Sequence, residues 1–132
     1  MPKTNIIGAF EPVSFPEFKS QNVVAKIDTG AYTGAIHCSV IQEQNVAGGK
    51  ILMFTPLDTD VRVQKDEFII KYVRSSNGKR EKRYFIATQI IVHNQPYEIT
   101  ISLTDRSTMR WPVLIGRRFL KKYNFLIDPA RK

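Results

Sequence analysis

Apolar and polar residues alternate along much of the second half of this chain. Residues 97–103 read Tyr-Glu-Ile-Thr-Ile-Ser-Leu, a period of two that gives a strand one apolar face. Residues 67–74 and 82–92 alternate well enough for two more strands, and between them stands Ser75-Ser76-Asn77-Gly78-Lys79-Arg80. Asn-Gly suits a type I′ turn, which needs positive φ at both central residues. The stretch 67–92 therefore reads as one long hairpin with a basic tip. Residues 23–28 and 113–115 are different: short apolar runs, as in buried strands. Strands are also expected over 5–10, ended by Glu11-Pro12, and over 34–41, 50–55 and 125–127. Turns are expected at Gly48-Gly49 and at His93-Asn94-Gln95-Pro96, and loops over 56–60 and 105–111. Only 117–123 has spacing suited to a helix. The expected class is mainly all-β with one short C-terminal helix.

A length of 132 residues suits a single domain, 1–132, with a core that needs no disulfide staples. The composition, 42% hydrophobic and 24% charged, is that of a globular protein. No apolar run approaches the roughly 20 residues that span a bilayer, and Pro and Glu interrupt the N-terminal stretch where a signal-peptide core would stand. Cys38 is the only cysteine, so no intrachain disulfide can form and a cytoplasmic location is expected. The net charge of +8 is uneven: −2 over residues 1–60, +5 over 61–83, −1 over 84–104 and +6 over 105–132. Such polarity favours an acidic partner. Nucleic acid is discounted, because the aromatic residues alternate as in strands instead of interleaving with the basic ones. No membrane partner is expected.

Two segments carry the chemistry. Lys26-Ile27-Asp28-Thr29-Gly30-Ala31 presents a carboxylate at the end of an apolar strand, and Pro112-Val113-Leu114-Ile115-Gly116-Arg117 follows about ninety residues later. In this order and at this separation they resemble the retropepsin-like aspartic proteases. Arg74-Ser75-Ser76-Asn77-Gly78, Leu103-Thr104-Asp105-Arg106-Ser107 and Leu114-Ile115-Gly116-Arg117-Arg118-Phe119-Leu120 narrow the likeness. They look like a bacterial branch labelled "ATP-dependent zinc protease", often associated with a ligase that adds glutamates to a ribosomal protein. The resemblance spans roughly residues 20–128. It implies a closed acid-protease barrel of six or more strands, with 67–92 as a flap. It also implies catalytic Asp28, Thr29 and Gly30, and substrate contacts from Ala31, Asn77, Gly78, Lys79, Arg80 and Arg117.

Acid–base hydrolysis of this kind needs two carboxylates sharing one proton. A half-barrel supplies one, so the resemblance implies a homodimer that pairs Asp28 with its copy across a two-fold axis. Two residues depart from the pattern. Tyr32 stands where the viral enzymes have a second Asp to pair with the Arg of Gly-Arg, leaving Asp105 as a candidate partner for Arg117. The flap tip has only Gly78. The zinc and ATP parts of the label find no counterpart. His37, Cys38 and His93 form no His-Glu-x-x-His pattern, neighbouring strand residues point apart, and no phosphate-binding loop is present. No metal and no cofactor are expected.

The leading expectation is an aspartic-type peptidase acting on acidic or glutamate-modified peptides. Lys79, Arg80, Lys82 and Arg83 would lie around the cleft mouth. A non-catalytic binding module, or an activator of a glutamate ligase, is the alternative that Tyr32 and the glycine-poor flap favour.

Overall fold

In the computed structural model of the chain, which describes residues 5–57, 59–74, 78–105 and 110–131, the apolar runs around Ile27 and Leu114 lie side by side. The strands are β1 (Asn5–Ile7), β2 (Phe10–Phe15), β3 (Ser20–Ile27), β4 (Gly34–Val46), β5 (Gly49–Pro56), β6 (Val63–Lys65), β7 (Ile69–Arg74), β8 (Arg80–Val92), β9 (Gln95–Thr104), β10 (Val113–Ile115) and β11 (Phe125–Ile127); helix α1 (Arg117–Lys122) precedes the last. β10 is threaded between β3, to which it runs parallel, and β4, to which it runs antiparallel. That double pairing closes a ring of six strands in the order β10-β3-β2-β8-β9-β4. The ring explains the unbroken apolar run at 113–115: a strand with neighbours on both edges and a packed interior has little contact with water. Val113 and Ile115 are buried.

The barrel interior is filled by Val13, Ile36, Ile86, Ile90, Ile101 and Ile115. Phe15, Phe18 and Phe54 close one end, with ring centroids 5.4 and 5.6 Å apart in sequence order. At the other end α1 buries Phe119 and Leu120, and Phe119 packs on Tyr97, Tyr123 and Phe125. Lys121 and Lys122 occupy the last turn of α1, where positive charge suits the helix dipole. Trp111 packs on Phe10 at 4.6 Å.

Outside the ring, β5 and β6 extend from β4 as an arm, β7 pairs with β8, and β1 pairs with β11 in a separate parallel ribbon. No helix among the described residues is long and apolar enough to cross a membrane.

Three expectations changed. The strand at 5–10 does not end at Glu11-Pro12; it breaks at Gly8 and restarts as β2, which contains both. Glu11 is buried there because its carboxylate accepts from Gly8 N–H at 2.8 Å and meets His93 Nε2 at 2.9 Å. Pro12 is tolerated because β8 pairs only with Val13 and Ser14, so no ladder needs its missing donor on that side. The strand at 34–41 runs on to Val46, through polar residues of the exposed arm. β6 lies in a stretch with no strand reading. The hairpin, the helix and the remaining strands stand where expected, within three residues at either end. The turn at His93-Asn94 has φ of 50° and 64°, the values a two-residue I′ turn demands. Ser75, Ser76, Asn77, Arg106 and Ser107 lie outside the described residues.

Candidate active site

Asp28 follows the last residue of β3, and its position is set by the threaded strand. Its N–H donates to Ile115 O at 2.8 Å, and its own carbonyl accepts from Ala31 N–H at 3.2 Å. The side chain is oriented as well, since Oδ1 accepts from Gly30 N–H at 3.0 Å. One carboxylate oxygen is thus aimed by the turn that carries it. Asp28 is only partly buried, and Thr29 and Gly30 are exposed.

Behind this turn the chain crosses itself. Arg117 N–H donates to Ala31 O and Arg118 N–H to Tyr32 O, both at 2.9 Å. These bonds bring the backbones so close that a Cβ on Gly116 would sit 2.4 Å from Tyr32 O. The Arg117 side chain reaches across the same crossing. Its Nη1 donates to the carbonyls of Thr29 and Gly30, each at 3.3 Å, and its guanidinium lies 5.3 Å from the Tyr32 ring centre. Tyr32 thus takes the place of the missing carboxylate, offering a ring face to a cation. Asp105 stands elsewhere, against Cys38, whose thiol is pushed up to about 12 by burial first and by that carboxylate second.

The β7–β8 hairpin faces the segment that follows the turn. A cavity of about 340 Å³ opens between them, with Ala31, Tyr32 and Leu114 on one side and Val73, Arg83 and Phe85 on the other. Register decides which cations face it. Ile69 pairs with Phe85, Lys71 with Arg83 and Val73 with Glu81, so these six share the cleft-side face. Tyr72, Arg80, Lys82 and Tyr84 belong to the other face, where Arg80 lies 5.1 Å from the Tyr72 ring centre. Of the four cations expected near the cleft mouth, only Arg83 lines this cavity. Gly78 (φ 85°) and Lys79 are at the exposed tip; Asn77 is outside the described residues.

On the far face the flap is tied to the arm. Glu43 of β4 accepts hydrogen bonds from Lys82 and Tyr84, and Lys50 lies 3.6 Å away. Lys82, then Tyr84, hold the Glu43 carboxyl well down, from an ordinary 4.5 to about 2. A carboxyl depressed in the folded state stabilises the fold above its ordinary range and loses that contribution as pH falls toward its folded value. The stability difference between wild type and Glu43→Gln should accordingly be constant above about pH 5 and shrink steadily toward pH 2. Acid denaturation of the two proteins in parallel checks this, and a difference that is flat across the range would refute it.

Sequence reasoning did not find Glu43, which sits among polar residues with no apolar period. Arg83 could have been separated from Lys82 by strand parity alone. No group of three His, Cys, Asp or Glu among the described residues is arranged to hold a metal ion. Cys38 is buried in the core, and His37 Nδ1 is buried without a hydrogen-bond partner.

A six-stranded barrel closed by a threaded strand, with Asp-Thr-Gly at the crossing, defines the retropepsin-like class. The match is narrower than the class. The RimB-like family model, described as retropepsin-like aspartic endopeptidase RimB, covers residues 6–132, and the chain belongs to that family. Among its relatives is a protein of Desulfotalea psychrophila named probable alpha-L-glutamate ligase, 32% identical over 95% of this chain. A Shewanella pealeana protein of the same name is 30% identical over 95%. The chain spans only 28% of the length of each. The crystal structure of Lpg0085 from Legionella pneumophila, a protein of unknown function, superposes with a TM-score of 0.77 at 26% identity, covering 96% of this chain and 94% of that one.

Proposed function

We propose that the chain is an aspartic-type peptidase that works as a homodimer on acidic or glutamate-modified peptides, in association with a glutamate ligase. The observation that carries this reading is the Asp28 turn, whose carboxylate is oriented by Gly30 N–H and whose backbone is anchored to Ile115 and Arg117. The Oδ1 bond is an Asx-turn; what supports a general acid/base role is that this turn is tied by backbone bonds to the Ile115–Arg117 crossing. Each chain brings one such carboxylate, and a partner that places its own Asp28 beside this one must cover Thr29. A hollow of about 640 Å³ borders Thr29, lined by Arg117, Leu120, Phe125, Leu126 and Ile127. The neighbouring ribbon exposes Ile6 (46%) and Leu126 (58%), apolar surface that a second copy would bury. The ligase association rests on the names of the relatives.

A binding module or ligase activator is the second reading. Its support is that the matching region is a minor part of proteins named as ligases and that Arg117 rests on Tyr32. Incubating the purified protein with oligoglutamate and neutral peptides, and following products by mass spectrometry, separates the two. The peptidase reading expects cleavage of the acidic peptide that chelators leave unchanged. Binding of that peptide without cleavage by a dimeric protein, or activity lost to chelator and restored by zinc, would overturn it.

A further inference from the structure

Among the described residues, the cavity beneath the flap is lined by one charged side chain. Val73, Phe85 and Leu114 give it an apolar wall, and Arg83 is the only ionisable cation or anion among its lining residues apart from the Tyr32 phenol. The buried hydroxyl in it is already engaged: Ser102 Oγ donates to Gly34 O at 2.7 Å. Arg83 is held on the cleft side by strand parity, opposite Lys71. Its nearest carboxylate is Glu81, at 3.4 Å with both side chains well exposed, an ion pair of the kind that contributes little. Arg80 and Lys82 are engaged on the opposite face, by Tyr72 and by Glu43.

We infer that Arg83 is a specificity-determining residue: it selects a peptide side chain that ends in a carboxylate, glutamate over glutamine, in the subsite between the flap and the Ala31-Tyr32 segment that follows the Asp28 turn. The inference rests on the peptide-binding reading above and adds to it the residue that discriminates. An apolar wall suits the methylene stem of a glutamate, and a guanidinium at the side can meet its carboxylate with two parallel N–H bonds. A glutamine in the same place would leave one of the two donors facing an amide NH2. General attraction by the basic flap would behave differently, since it responds to net charge wherever the cation stands.

The test compares two changes of equal charge, Arg83→Gln and Arg80→Gln. Both are made in an Asp28→Asn background, so that binding is read without turnover. Fluorescent hexaglutamate and hexaglutamine peptides are titrated at moderate salt. The parent should prefer glutamate by roughly ten- to a hundred-fold, the range of one charge-assisted contact. Arg83→Gln should reduce that ratio about ten-fold, as loss of one charge-assisted contact would, Arg83→Lys should restore part of it, and Arg80→Gln should leave it nearly intact. Equal losses at the two positions, an unchanged ratio in Arg83→Gln, or no preference in the parent would overturn the inference. Cleavage by the otherwise wild-type chain is scored separately. Selective binding through Arg83 with no cleavage defeats the peptidase reading alone; cleavage whose selectivity ignores Arg83 defeats this inference alone.

Discussion

Asparagine at position 28 is expected to abolish peptide cleavage, by about a thousand-fold or more, while leaving the fold unchanged. The amide is nearly isosteric, and its oxygen can still accept the Gly30 N–H that now meets Oδ1 at 3.0 Å, so the turn has no reason to move. What the amide cannot do is carry or release a proton, and both roles of the proposed dyad depend on that. Mixing protomers tests the second half of the claim. If each site needs Asp28 from two chains and a single Asn disables it, activity should fall as the square of the wild-type fraction. A linear fall would mean that one chain suffices. Full activity in Asp28→Asn would end the aspartic mechanism.

Alanine at Gly34 should be the most damaging small substitution. Gly34 begins β4 with φ of 87°, and a Cβ there would lie 2.3 Å from Leu114 O and 2.9 Å from Gly116 N. Both obstacles are backbone atoms, one in the threaded strand and one just past its end, and cannot rotate away as a side chain would. Positive φ costs a non-glycine residue of order 1–2 kcal/mol. Displacing β10 adds about 1–3 kcal/mol of overpacking. Gly48 is the control: its φ is 93° but nothing lies within 4 Å of its added Cβ, so Gly48→Ala should show the conformational part alone. Thermal unfolding should place Gly34→Ala roughly 10 °C below wild type and Gly48→Ala only a few degrees below. Similar losses at both sites would show that β10 is not pinned where the crossing puts it.

Much of the fold was legible because strands and tight turns are local. The alternation at 97–103 and the His93-Asn94 turn need only neighbouring residues to be recognised. The outer half of β4 was not legible, since Gln42, Gln44 and Asn45 are exposed and carry no apolar period. Glu11-Pro12 misled because a breaker pair is a local rule. Here a buried hydrogen-bond network, reaching His93 from 82 residues away, overrode it.

For the site, the sequence by itself determined the carboxylate, the Thr-Gly turn that holds it and the Gly-Arg segment that meets it. It also determined, by strand parity, that Arg83 and Lys82 point to opposite faces. Only the tertiary structure decided which of those faces looks onto the cavity beside Ala31 and Tyr32. That choice depends on β8 pairing with β9 in one register and on β10 closing the ring between β3 and β4. Parity is a property of one strand, whereas inside and outside exist only once distant strands have closed around a common core.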